Sequence, residues 1–128
     1  MSESTFVVNR EFAENDKRFR IACSLAGIQA TKRQASKFRR GFGSAEVAMR
    51  AFIGGGYAEK SGRLQADMAK ATKNLNNLNE ELEGMSGDEK SSDQGAALAE
   101  AIESAKQKIE SLEVDLNGLK INLKILTS

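Results

Sequence analysis

Apolar residues in the second half of the chain recur at alternating intervals of four and three, and this spacing constrains the fold most. Such spacing places all the repeated residues on one stripe of an α-helix. The chain also contains no proline, the strongest helix breaker. We therefore expect two long helices with apolar seams. The seams comprise Leu64, Met68, Ala71, Leu75, Leu78, Leu82 and Met85, and then Leu98, Ile102, Ala105, Ile109, Leu112, Leu116, Leu119, Leu123 and Leu126.

The segment that joins the two seams, SGDEKSSDQG at about residues 86–95, is polar and glycine-flanked, as loops are. If the chain folds back there, Met85 faces Leu98. In the same register each alanine of one seam faces a leucine of the other, which keeps the layers even in volume. The pattern predicts an antiparallel coiled-coil hairpin over residues 57–128.

The outer half of the predicted hairpin is acidic, because Lys90 is the only cation between Asn74 and Ala105. Part of this charge is what any solvated helix face carries. The near-absence of lysine at the tip also indicates a negative surface for a basic protein partner. The candidate protein-binding residues are Glu80, Glu81, Glu83, Asp88, Glu89 and Asp93.

A second apolar stripe, formed by Val114, Ile121 and Ile125, lies beside the seam near the end of the last helix. Two coverings for this stripe stay open. The first half of the chain could pack against it, or a second hairpin could pair with it in a four-helix bundle.

Residues 1–56 read as a small head of short helices, although TFVVNREF near the start fits either an extended segment or a helix. Asn15 or Asp16 can cap one helix, which should stop at Gly27. Thr31, with Gln34 three residues later, has the spacing of a capping box. That second helix should stop at Gly41, and Ser44 should cap a third.

All six phenylalanines fall in this head, which predicts a compact aromatic core. They are Phe6, Phe12, Phe19, Phe38, Phe42 and Phe52. The single cysteine, Cys23, lies in a helical pattern between small residues and should be a small buried hydrophobe.

The formal net charge of +1 hides an uneven distribution. Residues 1–70 contain thirteen cations and seven acids, whereas residues 71–128 contain six cations and eleven acids. The stretch TKRQASKFRRGFG, residues 31–43, has five cations and no acid. We therefore expect the head to be the positive part of the molecule.

The run IACSLAGIQATKRQASKFRRG, residues 21–41, resembles the helix-turn-helix of small phage repressors. The resemblance implies that Lys32, Arg33, Gln34 and Lys37 would read bases and that Arg39 and Arg40 would hold phosphates. Arg18 and Arg20, one helix earlier, would also reach the phosphate backbone.

Two further resemblances concern other parts of the chain. TKRQASKFRRGFGSA, residues 31–45, is similar to stretches of small uncharacterised accessory proteins of tailed phages, which implies a phage source and no activity. An acidic hairpin tip on a small base resembles the secondary-channel factors of bacterial RNA polymerase. That likeness gives Asp88, Glu89 and Asp93 the place of their tip carboxylates.

Composition argues against catalysis, because the chain has no histidine and one cysteine and so cannot form a Cys–His or Ser–His pair. FIGGGYAEKSG is glycine-rich but lacks the lysine-serine ending of a phosphate-binding loop. We expect no enzyme activity, no cofactor and no metal. The start carries acid where a signal peptide carries cations, and no apolar run is long enough for a membrane span, so the cytoplasm is expected.

Three functions remain open from the sequence. The first is a non-catalytic interaction protein whose head binds DNA or RNA and whose arm binds a protein; the head cations could alternatively dock onto an acidic protein or simply be solvated. The second is a phage-type regulator of a host enzyme that acts through the acidic arm. The third is a homo-oligomeric assembly protein built on the hairpin.

Overall fold

The computed structural model describes the backbone of residues 2–128 and the side chains from Val8 onwards, and the described chain is all α-helical, as predicted. No strand occurs within that range. The helices are α1 (Ser2–Asn15), α2 (Lys17–Ala26), α3 (Lys32–Arg39), α4 (Ser44–Ala51), α5 (Tyr57–Glu83), α6 (Gly87–Lys90) and α7 (Asp93–Leu126), with a π-helical turn, Phe52–Gly56, between α4 and α5.

The chain divides into two compact units. The head unit contains residues up to Glu59 together with Leu119–Ser128, and the arm unit is Lys60–Gly118. The predicted hairpin segment, residues 57–128, therefore contributes both of its ends to the head. The reason is apolar burial, because Leu126 lies in the head core with only 2% of its surface exposed.

Local chemistry sets the ends of α2. The Asp16 carboxylate caps the first turn by accepting a hydrogen bond from the Phe19 N–H at 2.8 Å. Gly27 ends the helix in the left-handed conformation, with φ 71°. The Ile28 N–H then donates to the Cys23 carbonyl at 3.0 Å. Both predicted ends of this helix are confirmed.

The start of the head adopts one of its two predicted alternatives, and the start of α4 differs from the sequence interpretation by one residue. The segment TFVVNREF is helical, as part of α1. Ser44 is the first residue of α4 rather than its cap, and Gly43 occupies the cap position with φ 96°. The glycines after α4 form a kink, because Gly55 has non-helical backbone angles inside the π-helical turn.

Aromatic rings hold the head core together. Phe12, Phe19 and Phe38 form a triangle with ring centroids 5.4 to 6.1 Å apart. Phe52 is also buried, and its ring lies edge-on to Tyr57 at 6.0 Å. The predicted aromatic core is correct for these four phenylalanines. Phe42 is the exception because 47% of its surface is exposed, and the Phe6 side chain lies outside the described residues.

Cys23 belongs to the same core and is 2% exposed. Burial raises the pKa of its thiol, and the nearby Arg20 charge opposes that shift only in part. The side chain is therefore a small buried hydrophobe, as the sequence predicted.

In the arm unit the predicted seam residues are buried or half-buried, whereas most of their neighbours are exposed. Ala71 of α5 and Ala105 of α7 are both buried and line one cavity of about 250 Å³. The antiparallel register predicted from the sequence places a leucine opposite each alanine. In the structure the two alanines line the same open pocket, together with polar side chains of α5 and α7.

The tip of the arm, residues 84–92, is more ordered than the predicted loop. It contains α6, and α7 already begins at Asp93. The Ser86 hydroxyl caps α6 by accepting from the Glu89 N–H at 3.2 Å. Gly95, in the first turn of α7, is buried, and a Cβ there would lie 2.3 Å from the Lys90 carbonyl oxygen. No side chain fits at residue 95 without moving the tip backbone.

The ring triangle predicts a large difference between two phenylalanines that look alike in the sequence. Phe19→Ala removes a fully buried ring, so the free energy of unfolding should fall by about 3–5 kcal/mol. Phe42→Ala is the control and should change it by less than about 0.5 kcal/mol, since its ring is half in solvent. Urea unfolding followed by circular dichroism measures both. Equal losses would contradict the observed core.

The close approach at the tip predicts that Gly95→Ala destabilises the arm by about 1–3 kcal/mol, because the new methyl group meets backbone atoms. Gly87→Ala is the matched control, since no atom lies within 4 Å of the added carbon. Thermal unfolding and amide exchange of the tip residues measure the difference. Similar stability of the two variants would show that the turn between α6 and α7 is built differently.

Candidate functional site

Helix α3 presents its cations on the surface because its apolar residues point inward. Ala35 and Phe38 are buried in the head core. The Thr31 hydroxyl caps the helix by accepting from the Gln34 N–H at 3.2 Å. The predicted role of Thr31 as the helix cap is confirmed. The burial of Phe38 determines which face of α3 points into the core. On the opposite side, residues of α3 that are three or four positions apart share one outer face.

The outer face of α3 lines a groove of about 560 Å³, which we call the basic groove. Four of the predicted binding residues meet there: Lys32, Arg33, Lys37 and Arg40. The remaining lining residues are Asn9 of α1, Ser36 and Phe42. No acid occurs among the groove residues that the structure describes. A concave surface lined by one sign of charge concentrates the electric field and attracts anions.

Arg40 is held in place at the end of the groove. Its Nε donates to the Ser36 carbonyl at 3.2 Å. Its guanidinium carbon lies 4.8 Å from the centroid of the Phe42 ring. The two contacts fix the head group beside the ring, so Arg40 would lose little side-chain entropy on meeting an anion.

Arg39 lies outside the basic groove, although it is adjacent to Arg40 in the sequence. Its Nη1 donates to the Asn9 Oδ1 at 2.8 Å, and its guanidinium lies over the Phe12 ring at 5.6 Å. Asn9 is nearly buried and lines the groove. Arg39 therefore ties α3 to α1 and positions a groove residue, and its predicted phosphate contact stays a prediction.

Arg18 and Arg20 bind backbone oxygens of the head instead of lining the groove. The Arg18 Nε donates to the Leu126 carbonyl at 3.2 Å, at the end of α7. The Arg20 Nη1 donates to the Ala13 and Glu14 carbonyls at 3.2 and 3.1 Å, at the end of α1. Each arginine satisfies carbonyls that a helix end leaves unpaired.

Gln34, one of the four predicted base readers, is not among the residues that line the groove. A Cβ on Gly43 would lie 3.9 Å from the Gln34 Oε1, which places this amide beside the turn into α4. Sequence reasoning missed Asn9, Ser36 and Phe42. Ser36 could have been found, because it is three and four residues from Arg33 and Arg40 on one helical face.

Residues 21–41 do fold as a helix, a connection and a second helix, with residues 27–31 between α2 and α3. Helix α2 packs against α4, and α3 packs against α1. The predicted use of this segment as a DNA-reading helix-turn-helix stays a prediction.

The predicted tip acids are all exposed in the arm unit. Two of them also support the local structure. The Glu89 carboxylate accepts from the Ser86 hydroxyl at 3.2 Å, and the same hydroxyl accepts from the Glu89 N–H, so Glu89 orients the cap of α6. Asp93 lies in the first turn of α7, where a negative charge complements the helix dipole.

The second apolar stripe is not covered as the first alternative expected. Val114, in the arm unit, is 66% exposed, and Ile121, in the head unit, is also exposed. Ile125 is half-buried. A second copy that would cover these two side chains stays a prediction.

Comparison with protein-family models, with curated proteins and with solved structures found no match to this chain. None of the helices among the described residues combines the length and hydropathy of a membrane span. In the same part of the chain, no three cysteine or acidic side chains cluster as metal ligands would. The fold and the site thus define an all-α protein whose helical head carries a basic groove.

Proposed function

We propose that this protein is a non-catalytic nucleic-acid-binding protein whose head holds the phosphate backbone in the basic groove. The single observation that carries the proposal is the meeting of Lys32, Arg33, Lys37 and Arg40 in one groove without a described acid. Arg33, Lys37 and Arg40 bring like charges into one concavity, and a bound polyanion relieves the repulsion among them. Arginine guanidinium groups suit phosphate oxygens because they donate in a planar fork.

The length of the basic groove favours a polymer over a single small anion. Lys32 and Arg40 are eight residues apart along and just beyond α3, which corresponds to about 12 Å of helix rise. Successive charges of one nucleic-acid strand lie about 3.4 Å apart along the axis, so that distance covers several phosphates. An isolated phosphate would contact only part of the cation set.

We further propose that the exposed tip of the arm contacts a basic surface of a partner protein. The support is the charge and exposure of Glu80, Glu83 and Asp88, which take no part in the hydrogen bonds between Ser86 and Glu89 that cap α6. If that partner is a host enzyme, the protein would be a regulator of the enzyme that acts through the acidic arm, which is the second function open from the sequence.

Neutralising the groove should weaken nucleic-acid binding and reduce its salt dependence. We predict that the triple variant Arg33→Gln, Lys37→Gln and Arg40→Gln lowers the slope of log Kobs against log salt by about 2 to 3, since each phosphate contact releases roughly 0.7–0.9 counterion. Fluorescence anisotropy with a labelled oligonucleotide at several salt concentrations measures the slope.

The matched control is Lys17→Gln, Lys120→Gln and Lys124→Gln, which removes the same charge from exposed head residues outside the groove lining. This control should keep nearly the wild-type slope. Equal effects of the two triples would mean that net charge, and not the groove, governs binding. Absence of binding by the wild type at low salt would refute the proposed function.

The arm proposal predicts that Glu80→Gln, Glu83→Gln and Asp88→Asn abolish capture of a basic protein from a bacterial lysate. Glu110→Gln, Glu113→Gln and Asp115→Asn form the control, because these acids are exposed on α7 away from the tip. Pull-down with quantitative mass spectrometry compares the variants with the wild type. The same captured proteins in all three samples would rule out the tip as the contact surface.

A further inference from the structure

Phe42 is an exposed aromatic ring inside a cationic groove. It is 47% exposed and lines the basic groove together with the four cations. The other phenylalanine side chains that the structure describes lie in the head core or pack against it. Covering the exposed apolar area of this ring with a ligand would remove it from water, which is favourable. The groove therefore contains a second kind of contact besides charge.

The backbone around Phe42 explains why its ring remains outside the core. Gly41 adopts φ 83°, its N–H donates to the Phe38 carbonyl, and the Phe42 N–H donates to the Lys37 carbonyl, each at 3.0 Å. This is a Schellman motif, in which the residue after the glycine usually packs against an apolar residue of the last helical turn. Here the residues available for that contact are Ser36 and Lys37, so the ring has no apolar partner in the motif.

The end of α2 has the same hydrogen-bond pattern, but the side chain after its glycine is packed against the core instead of exposed. Gly27 donates to the Ser24 carbonyl and Ile28 donates to the Cys23 carbonyl. Ile28 takes the position that Phe42 has after α3, and it packs against the head core. The motif alone thus does not expose its last side chain. Phe42 is exposed because Ser36 and Lys37, the residues at the positions that it could pack against, are polar.

The ring is in contact with a cation. Gly43, on its other side, has φ 96°, and a Cβ there would lie 3.1 Å from the Lys37 Cβ. The Arg40 guanidinium covers one part of the ring at 4.8 Å from its centroid. The glycines on both sides permit the turn that exposes the ring, and the cation above it limits its side-chain rotation. A preorganised ring loses little entropy when a flat ligand stacks on it.

We infer that Phe42 is a stacking platform for a nucleobase and that the basic groove takes single-stranded nucleic acid. This inference rests on the proposed function and specifies its ligand. In a duplex the base faces are already stacked, so an exposed ring has nothing to stack upon. In a single strand each base offers a π-face, and aromatic side chains next to a cationic track are the usual means of holding it. Arg40 would contact the phosphate or the base beside the ring.

The experiment compares a single-stranded oligonucleotide with the blunt duplex of the same length, using the full chain. Oligo(dT) and oligo(U) serve as the two single strands, so that the DNA and RNA arms are separated. We expect the wild type to bind the single strands at least roughly tenfold more tightly than the duplex. Phe42→Ala should lose roughly 5- to 100-fold in single-strand affinity, as removal of one stacking contact does, and little in duplex affinity.

Two variants test whether the loss comes from the ring itself. Phe42→Trp should retain or increase single-strand affinity, because a larger π-face stacks better. Val47→Ala, which shortens an exposed valine of the head unit outside the groove lining, should leave binding unchanged. Thermal unfolding of each variant checks that the fold is intact.

The Phe42→Trp variant also gives a direct reading of stacking, because the chain contains no other tryptophan. Its fluorescence should be quenched by oligo(dT) and oligo(U) and hardly changed by heparin, a polyanion without bases. Equal quenching by heparin, or equal affinity of the wild type for single strand and duplex, would overturn the stacking inference while leaving the proposed function standing. Binding to none of the polyanions would overturn both.

Discussion

The contact among Phe12, Phe19 and Phe38 determines the rest of the head. Phe38 is the inward anchor of α3, and its burial fixes the rotation of that helix about its own axis. Once Phe38 points inward, helical periodicity sends Lys37 and Arg40 to the outer surface. Phe12 brings α1 to the same cluster, and with it Asn9, the groove residue that α1 contributes. The basic groove is thus a consequence of apolar packing on the opposite face of the same helix.

The sequence predicted those parts of the head that depend on neighbouring residues. Asp16 and Gly27 act within one turn of α2, so their chemistry is visible in a few letters. The destination of each cation was harder to predict. Arg39 and Arg40 are adjacent in the sequence but about 100° apart around the helix, and Asn9 binds only the first. Phe42 was assigned to the core by composition, since the pattern could not show that its nearest potential partners are polar.

The arm unit shows a different limit of sequence reasoning. The all-helical fold and the seam positions follow from heptad spacing, which every turn of the helix repeats. The facing partners do not follow, because a heptad pattern matches itself equally well after a shift of seven residues. Equal layer volume favoured leucine opposite alanine, whereas Ala71 and Ala105 share one cavity. The short connection through α6 helps to determine which seam residues face each other. The geometry of this connection depends on the close approach of Gly95 to the Lys90 carbonyl.

Leu126 gives the head a particular order of assembly. It is one of the least exposed side chains of the head core, and the Arg18 side chain binds its carbonyl across 108 positions of sequence. A contact between such distant positions requires closure of a long loop, which slows folding relative to local contacts. During synthesis, the ribosome must therefore release the whole arm before this core can close. Until then, the apolar surface that Leu126 covers is accessible to chaperones.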